Sequence, residues 1–216
     1  METDQKFRSI MESLTATNID EILFQIKILD FNKDTLKCLQ YLFSMVEDNT
    51  ELGRQYSDVC KEMKNGSTDK IMLKMHVEEI SKVMVLKYVD ERFNNKNDCA
   101  ESVSSSANGI ANFLGGLYSS DILSTDFMKD LFEILMDSQK ACEAVLELTK
   151  MLLLTCGHDL NNKAGGMKMM IYTEWVENQS NKIQDDAHEK SMNLKQVKEQ
   201  CLLTKTPEYE TMFLFT

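Results

Sequence analysis

Residues 110–160 read IANFLGGLYSSDILSTDFMKDLFEILMDSQKACEAVLELTKMLLLTCGHDL. Apolar residues recur here every three or four positions: Ile110, Phe113, Leu114 and Leu117, then Phe127, Leu131 and Leu135, then Cys142, Val145, Thr149 and Leu152. That is the period of an amphipathic α-helix, in which such positions share one face. Ser124-Thr125-Asp126 supplies the short polar side chains that open a helix, and Gly157 marks a close or a joint. Three helices with brief connections are expected, and no alternating run long enough for a strand interrupts them.

Working outward, the same period continues to both ends. Ile19, Ile22, Leu23, Ile26 and Leu29 form one stripe, and Leu36, Leu39, Phe43 and Val46 the next. Tyr56, Val59, Cys60 and Met63 form a third, and Leu73, Val77, Ile80 and Met84 a fourth that reaches toward Phe93. Met167, Met170, Ile171 and Trp175 mark a further helix, and Leu194, Val197 and Cys201 another. Asn18 and Asp34 stand where helix caps are expected, and Asn65-Gly66 reads as a turn with Ser67, Thr68 or Asp69 capping the next helix. The serine-rich stretch 94–108, NNKNDCAESVSSSAN, reads as a long internal flexible loop. The only proline is Pro207 and there are eight glycines, so little in the chain breaks a helix.

The helices fall into pairs over 5–30, 33–64, 69–119, 124–157 and 161–203. A spacing of roughly forty residues is that of HEAT-type helical hairpins. One hairpin cannot bury both its apolar faces, so neighbours stack. The expected fold is all-α, a HEAT-like superhelix of about five antiparallel hairpins over residues 5–203, with a C-terminal tail at 204–216.

Composition narrows the function. Lys and Arg number 24 against 35 Asp and Glu, a net charge of −11. A polyanion is repelled by that average field, and no run of Lys or Arg makes a local patch, so protein partners are favoured over direct RNA binding. Six cysteines stand without a C-x-x-C pair, several on apolar helical faces, which fits reduced thiols in the cytoplasm or, as the alternative, the nucleus. No stretch approaches the roughly 20 apolar residues a membrane span needs. His76, His158 and His188 lack metal-site spacing, and no nucleophile elbow or phosphate loop is present. A non-catalytic binding protein with no cofactor is expected. The cluster Met167, Met169 and Met170 fits core filling or an adaptable surface.

The segment quoted first resembles the fourth-repeat region of the middle domain of translation initiation factor four-G. There a phenylalanine, a glycine and a leucine-aromatic pair precede an exposed loop and a new helix; here these are Phe113, Gly115, Leu117 and Tyr118, followed by Leu123. The leucine-rich run and its glycine-x-aspartate-leucine ending are Leu152, Leu153, Thr155, Gly157, Asp159 and Leu160. Residues 9–19, SIMESLTATNI, are similar to the family's opening helix and turn, with Ala16 where a proline is usual and Ile19 where an aromatic is. Residues 42–63 are similar to its second hairpin at Leu42, Phe43, Glu47, Tyr56 and Cys60. The likeness spans about residues 7–180.

The resemblance implies a scaffold in translation initiation or its regulation that holds a DEAD-box RNA helicase of the initiation factor four-A type. It places the first-repeat contact at Leu14 and Ile19, although both also suit an ordinary core. The tail TPEYETMFLFT carries Tyr209, Leu214 and Phe215 at the spacing by which scaffolds bind the cap-binding initiation factor. Packing of the tail on the end of the solenoid accounts for the same residues. Adaptors of the same fold in mRNA processing, decay or histone-mRNA metabolism are the alternative.

Overall fold

The computed structural model describes residues 2–31, 34–94, 100–137 and 142–186, with the side chains of 94, 100–102, 164 and 183–186 left aside. Its described residues contain nine α-helices and no strand: α1 (Thr3–Met11), α2 (Ile19–Lys27), α3 (Thr35–Asp48), α4 (Gly53–Gly66), α5 (Lys70–Asn94), α6 (Ala100–Ser119), α7 (Thr125–Leu135), α8 (Glu143–Ala164) and α9 (Gly166–Asp186). A 3₁₀ turn, Thr50–Leu52, joins α3 to α4.

Each helix packs on the one two places along. The even-numbered helices α2, α4, α6 and α8 form one layer, and α1, α3, α5 and α7 form the other. The pairs α1–α2, α3–α4 and α7–α8 pack as the hairpins expected from the spacing, α5 packs on α3, α4, α7 and α8, and α9 packs against α8. The partner expected for α9 over 187–203 and the tail at 204–216 lie outside the described residues.

The buried residues form one continuous core between the layers. At one end Phe7 of α1 meets Phe31 edge-on at 5.9 Å and Tyr41 at 6.4 Å, while the Arg8 guanidinium lies 4.6 Å over the Tyr41 ring. In the middle Phe43 of α3 meets Phe113 of α6 at 5.0 Å. At the other end Phe132 of α7 stacks on Tyr172 of α9 at 4.6 Å. Each such ring contributes about 1.5–3 kcal/mol by burial, before its contact geometry is counted.

The even layer is drawn together by small residues. A side chain at Gly115 would run into the γ-methyl of Thr155 on α8, and one at Gly116 into the hydroxyl of Ser57 on α4. Gly109 faces the backbone of Thr50. The glycines of the GGLY segment therefore act as contact surfaces between helices that run close together.

Four expectations need correction. The serine-rich segment is helical from Ala100, so the loop expected over 94–108 does not extend past residue 99, and 95–99 are outside the described residues. Burial of Val103, Ala107, Ile110 and Ala111 along one face of α6 overrides the weak helix propensity of its serines. Gly157 neither ends nor joins a helix, because α8 runs unbroken to Ala164 and stops at Gly165, whose φ of 87° is in the region that favours glycine. Asn65-Gly66 is the last turn of α4 rather than a separate turn. Asn18 and Asp34 occupy N-cap positions without capping through their side chains. The Asp34 carboxylate instead pairs with Lys37 at 3.2 Å. Asp69 and Ser124 do cap as expected, accepting from the amides of Met72 at 2.9 Å and Phe127 at 3.2 Å.

Candidate partner-binding surface

The α1–α2 connection, residues 12–18, is short and held by its own polar side chains. The amide N–H of Thr15 donates to Asn18 Oδ1 at 2.7 Å, and Asn18 Nδ2 donates to the Ser13 carbonyl at 2.7 Å. One side chain thus staples both strands of the loop, which is why it is not free to cap α2. The Ser13 hydroxyl donates to the Ile10 carbonyl at 2.7 Å and finishes α1.

Leu14 lies in this loop with its side chain turned inward, 8% exposed, and belongs to the same core as Phe7 and Met11. Ile19 opens α2 half-buried against that core. Leu14 lies on the loop and Ile19 on the first turn of the helix that follows it, and little of Leu14 is offered to the outside. Glu12, Ser13, Thr15, Ala16 and Thr17 make the exposed rim.

Just beyond the loop, α2 and the residue after it expose two large apolar side chains, Phe24 at 69% and Ile28 at 76%. They are four residues apart and share one face. Asp20, Glu21 and Lys27 stand around them, also exposed. Sequence periodicity passes over this pair, because the clear stripe runs through Ile22 and Ile26. At about 100° per residue, Phe24 points roughly 160° away from Ile22. A large apolar residue out of phase with a clear stripe is the signal that could have found it. An exposed apolar pair on a terminal repeat, beside a rigid loop, is suited to anchoring another protein.

Within the even layer, the α6–α7 turn is clamped from both sides. Lys64 of α4 donates to the Ser120 carbonyl at 3.0 Å and to that of Asp121 at 3.1 Å. Lys163 of α8 donates to the Asp121 carboxylate at 2.9 Å and lies 4.8 Å from the Tyr118 ring centre. That hydrogen bond first, and the lysine charge second, hold the Asp121 carboxyl below its ordinary range. Tyr118, Leu123, Phe113 and Leu117 are all buried, so the motif residues of this turn are structural.

The methionine cluster divides: Met169 is buried, while Met167 and Met170 are exposed on α9. His158 lies 3.6 Å from Asp159, and His188 is outside the described residues. Among the described residues no group of three His, Cys, Asp or Glu side chains is arranged to hold a metal ion, and no helix is long and apolar enough to cross a membrane. Tyr209, Leu214 and Phe215 lie outside the described residues.

No protein-family model matches the sequence, and no curated protein matches it. Among solved structures, the chain is similar to the MIF4G domain of the Trypanosoma cruzi translation initiation factor EIF4G5. The TM-score is 0.54 at 13% identity, over 84% of this chain and 96% of that one. The fold expected from the sequence, a HEAT-like helical superhelix of the four-G middle-domain type, is the fold of this chain.

Proposed function

We propose that this protein is a non-catalytic adaptor in translation initiation or its regulation, and that it docks a DEAD-box RNA helicase of the initiation factor four-A type on its first repeat. The observation that carries the reading is the exposed pair Phe24 and Ile28 beside the stapled 12–18 loop. The fold it shares with a domain of a translation initiation factor supplies the setting. In this arrangement Leu14 and Ile19 are positioning residues: Leu14 plugs the loop into the core, and the polar rim and the apolar pair meet the partner. A rigid frame of this kind acts by holding its partner near a third component and by favouring whichever helicase conformation fits the fixed surface better. The cytoplasm is the expected compartment, with the nucleus as the alternative.

The direct test is binding of purified initiation-type helicase to residues 1–216 by titration calorimetry. Phe24→Asp with Ile28→Asp should weaken binding at least tenfold with thermal stability unchanged, because both side chains are already in water. Leu14→Asp should also weaken it, but only with a fall in melting temperature. Helicase binding that ignores the Phe24/Ile28 pair would move the contact elsewhere, and no binding at micromolar concentrations would remove the helicase reading. The same-fold adaptors of mRNA processing, decay or histone-mRNA metabolism would then be the better reading.

A second contact is proposed at the tail, where Tyr209, Leu214 and Phe215 would sit in one groove of the cap-binding initiation factor. Deleting 207–216 should abolish capture of that factor while leaving helicase binding intact; unchanged capture would end this part of the proposal.

A further inference from the structure

A second apolar surface lies in the other layer, away from the first repeat. Ile71, Met72, Met75 and Val83 of α5 are all exposed, Met75 at 58% and Val83 at 60%. Residues three and four apart on a helix share a face, so Ile71, Met75, Glu79, Lys82 and Val83 continue along one side of α5. From Ile71 to Val83 that side runs about 18 Å at the helical rise. Glu79 and Lys82 of that side also line a groove between α5 and α7, together with Glu78 of α5 and Phe127, Asp130, Leu131 and Ile134 of α7.

The groove is fixed in width by Glu78. Its Oε1 accepts from the Ser124 amide at 2.8 Å and from the Ser124 hydroxyl at 2.6 Å, tying α5 to the start of α7. The carboxylates of Glu78, Glu79 and Asp130 face only one lysine in the lining, Lys82. Lys70 precedes this stretch, and Lys74 lies within it but is not among the residues that line the groove. The outer flank of α7 is balanced, since Lys129 pairs with Asp126 at 3.1 Å and Lys168 with Glu133 at 2.9 Å. The excess of negative charge therefore falls on the groove itself.

We propose that the α5–α7 groove docks an amphipathic helix of a partner protein, with an apolar stripe of about three turns flanked by Lys or Arg. A helix laid in a groove reads its ligand through apolar anchors at i, i+3 or i+4, and i+7. Met72 and Met75, exposed on the same stretch of α5, adapt to anchors of different shape. The acidic rim selects basic flanks and disfavours acidic ones. It also argues against a second copy of this chain, because face-to-face pairing would bring two acidic rims together. The site is independent of the Phe24 and Ile28 contact.

The probes are two helical peptides of about fourteen residues with identical leucine stripes, one flanked by Lys and one by Glu, titrated into residues 1–216 and read by fluorescence anisotropy. The Lys-flanked peptide should bind at least tenfold more tightly, with the difference shrinking as salt is raised. In protein labelled at methionine methyls, Met72 and Met75 should shift and Met167 should not. Glu79→Lys with Asp130→Lys should reverse the preference, and Met75→Asp should weaken both peptides. Each substituted side chain is exposed, so folding is preserved, and melting temperature checks this. Equal binding of the two peptides, methyl shifts confined to α9, or indifference to these substitutions would overturn the proposal. So would self-association of the wild-type chain that Glu79→Lys abolishes, which would make the occupant a second copy.

Discussion

Adding one methyl group at Gly115 should separate two helices of the even layer. The Cβ of Gly115→Ala points at Thr155 of α8, overlapping its γ-methyl and lying 3.1 Å from its Cβ. Thr155 cannot turn away freely, because its hydroxyl donates to the Met151 carbonyl at 2.7 Å and β-branched side chains have few helical rotamers. Overpacking costs about 1–3 kcal/mol, and a direct clash with a side chain that cannot turn away belongs in the upper part of that range, about 2–3 kcal/mol. Alanine returns about 1 kcal/mol of helix propensity. The net loss should be about 1–2 kcal/mol, or roughly 2–8 °C in melting temperature for a chain of this length. Urea denaturation of four proteins tests it: wild type, Gly115→Ala, Thr155→Ala and the double variant. Thr155→Ala removes the obstructing methyl, so the double variant should recover most of the loss, a coupling of about 1–2 kcal/mol. Gly66→Ala is the control, since its new Cβ meets nothing closer than Phe31 Cδ2 at 3.6 Å, and it should be neutral or slightly stabilising. A Gly115→Ala protein as stable as wild type, or one that Thr155→Ala fails to rescue, would refute close packing of α6 on α8.

Ser124→Ala should cost about 1–2 kcal/mol in urea midpoint analysis, because it removes both the cap on α7 and the bond to Glu78. In a Cys99→Ser, Cys201→Ser background, iodoacetamide should label Cys142 first, with Cys38, Cys60 and Cys156 reacting only on unfolding, as mass spectrometry would read. Burial pushes the Cys38 and Cys60 thiols up from 9.0 to about 12. The unfolded chain therefore loses these protons first, and stability should hold below pH 9 and fall as pH rises from 9 toward 12. Asp121 behaves oppositely: its carboxyl titrates below the ordinary range, so what it contributes is present above the ordinary carboxylate pKa and lost as pH falls through the lowered value. A carboxyl NMR titration should show that displacement, and Lys163→Met should bring Asp121 back toward the usual range.

The hairpin boundaries were legible wherever an apolar stripe met a short polar break, as at Met63 to Asp69 and Leu117 to Thr125. They were illegible in the serine-rich stretch, where few apolar residues mark a face and packing of Val103 and Ala107, rather than propensity, makes the helix. Gly157 misled for the same reason, since burial between neighbours carries α8 through it. The binding surfaces were harder to see. Leu14 is a contact by resemblance and suits a core equally well from the sequence, and the Asn18 stapling of the loop in which it lies buried depends on three-dimensional geometry. Phe24, Ile28 and Met75 were present as letters, and only their phase against the stripes distinguishes them from core.

The glycine contacts of α6 act like a tapered wedge in masonry. They shorten the pitch of one layer and leave the other unchanged. With layers about 10 Å apart, each ångström of difference in helix spacing tilts one repeat against the next by roughly 6°, so small residues at 109, 115 and 116 bear on the angle between the repeats that flank α6. A single added methyl there would widen the spacing in one layer alone and so change the angle at which neighbouring repeats meet.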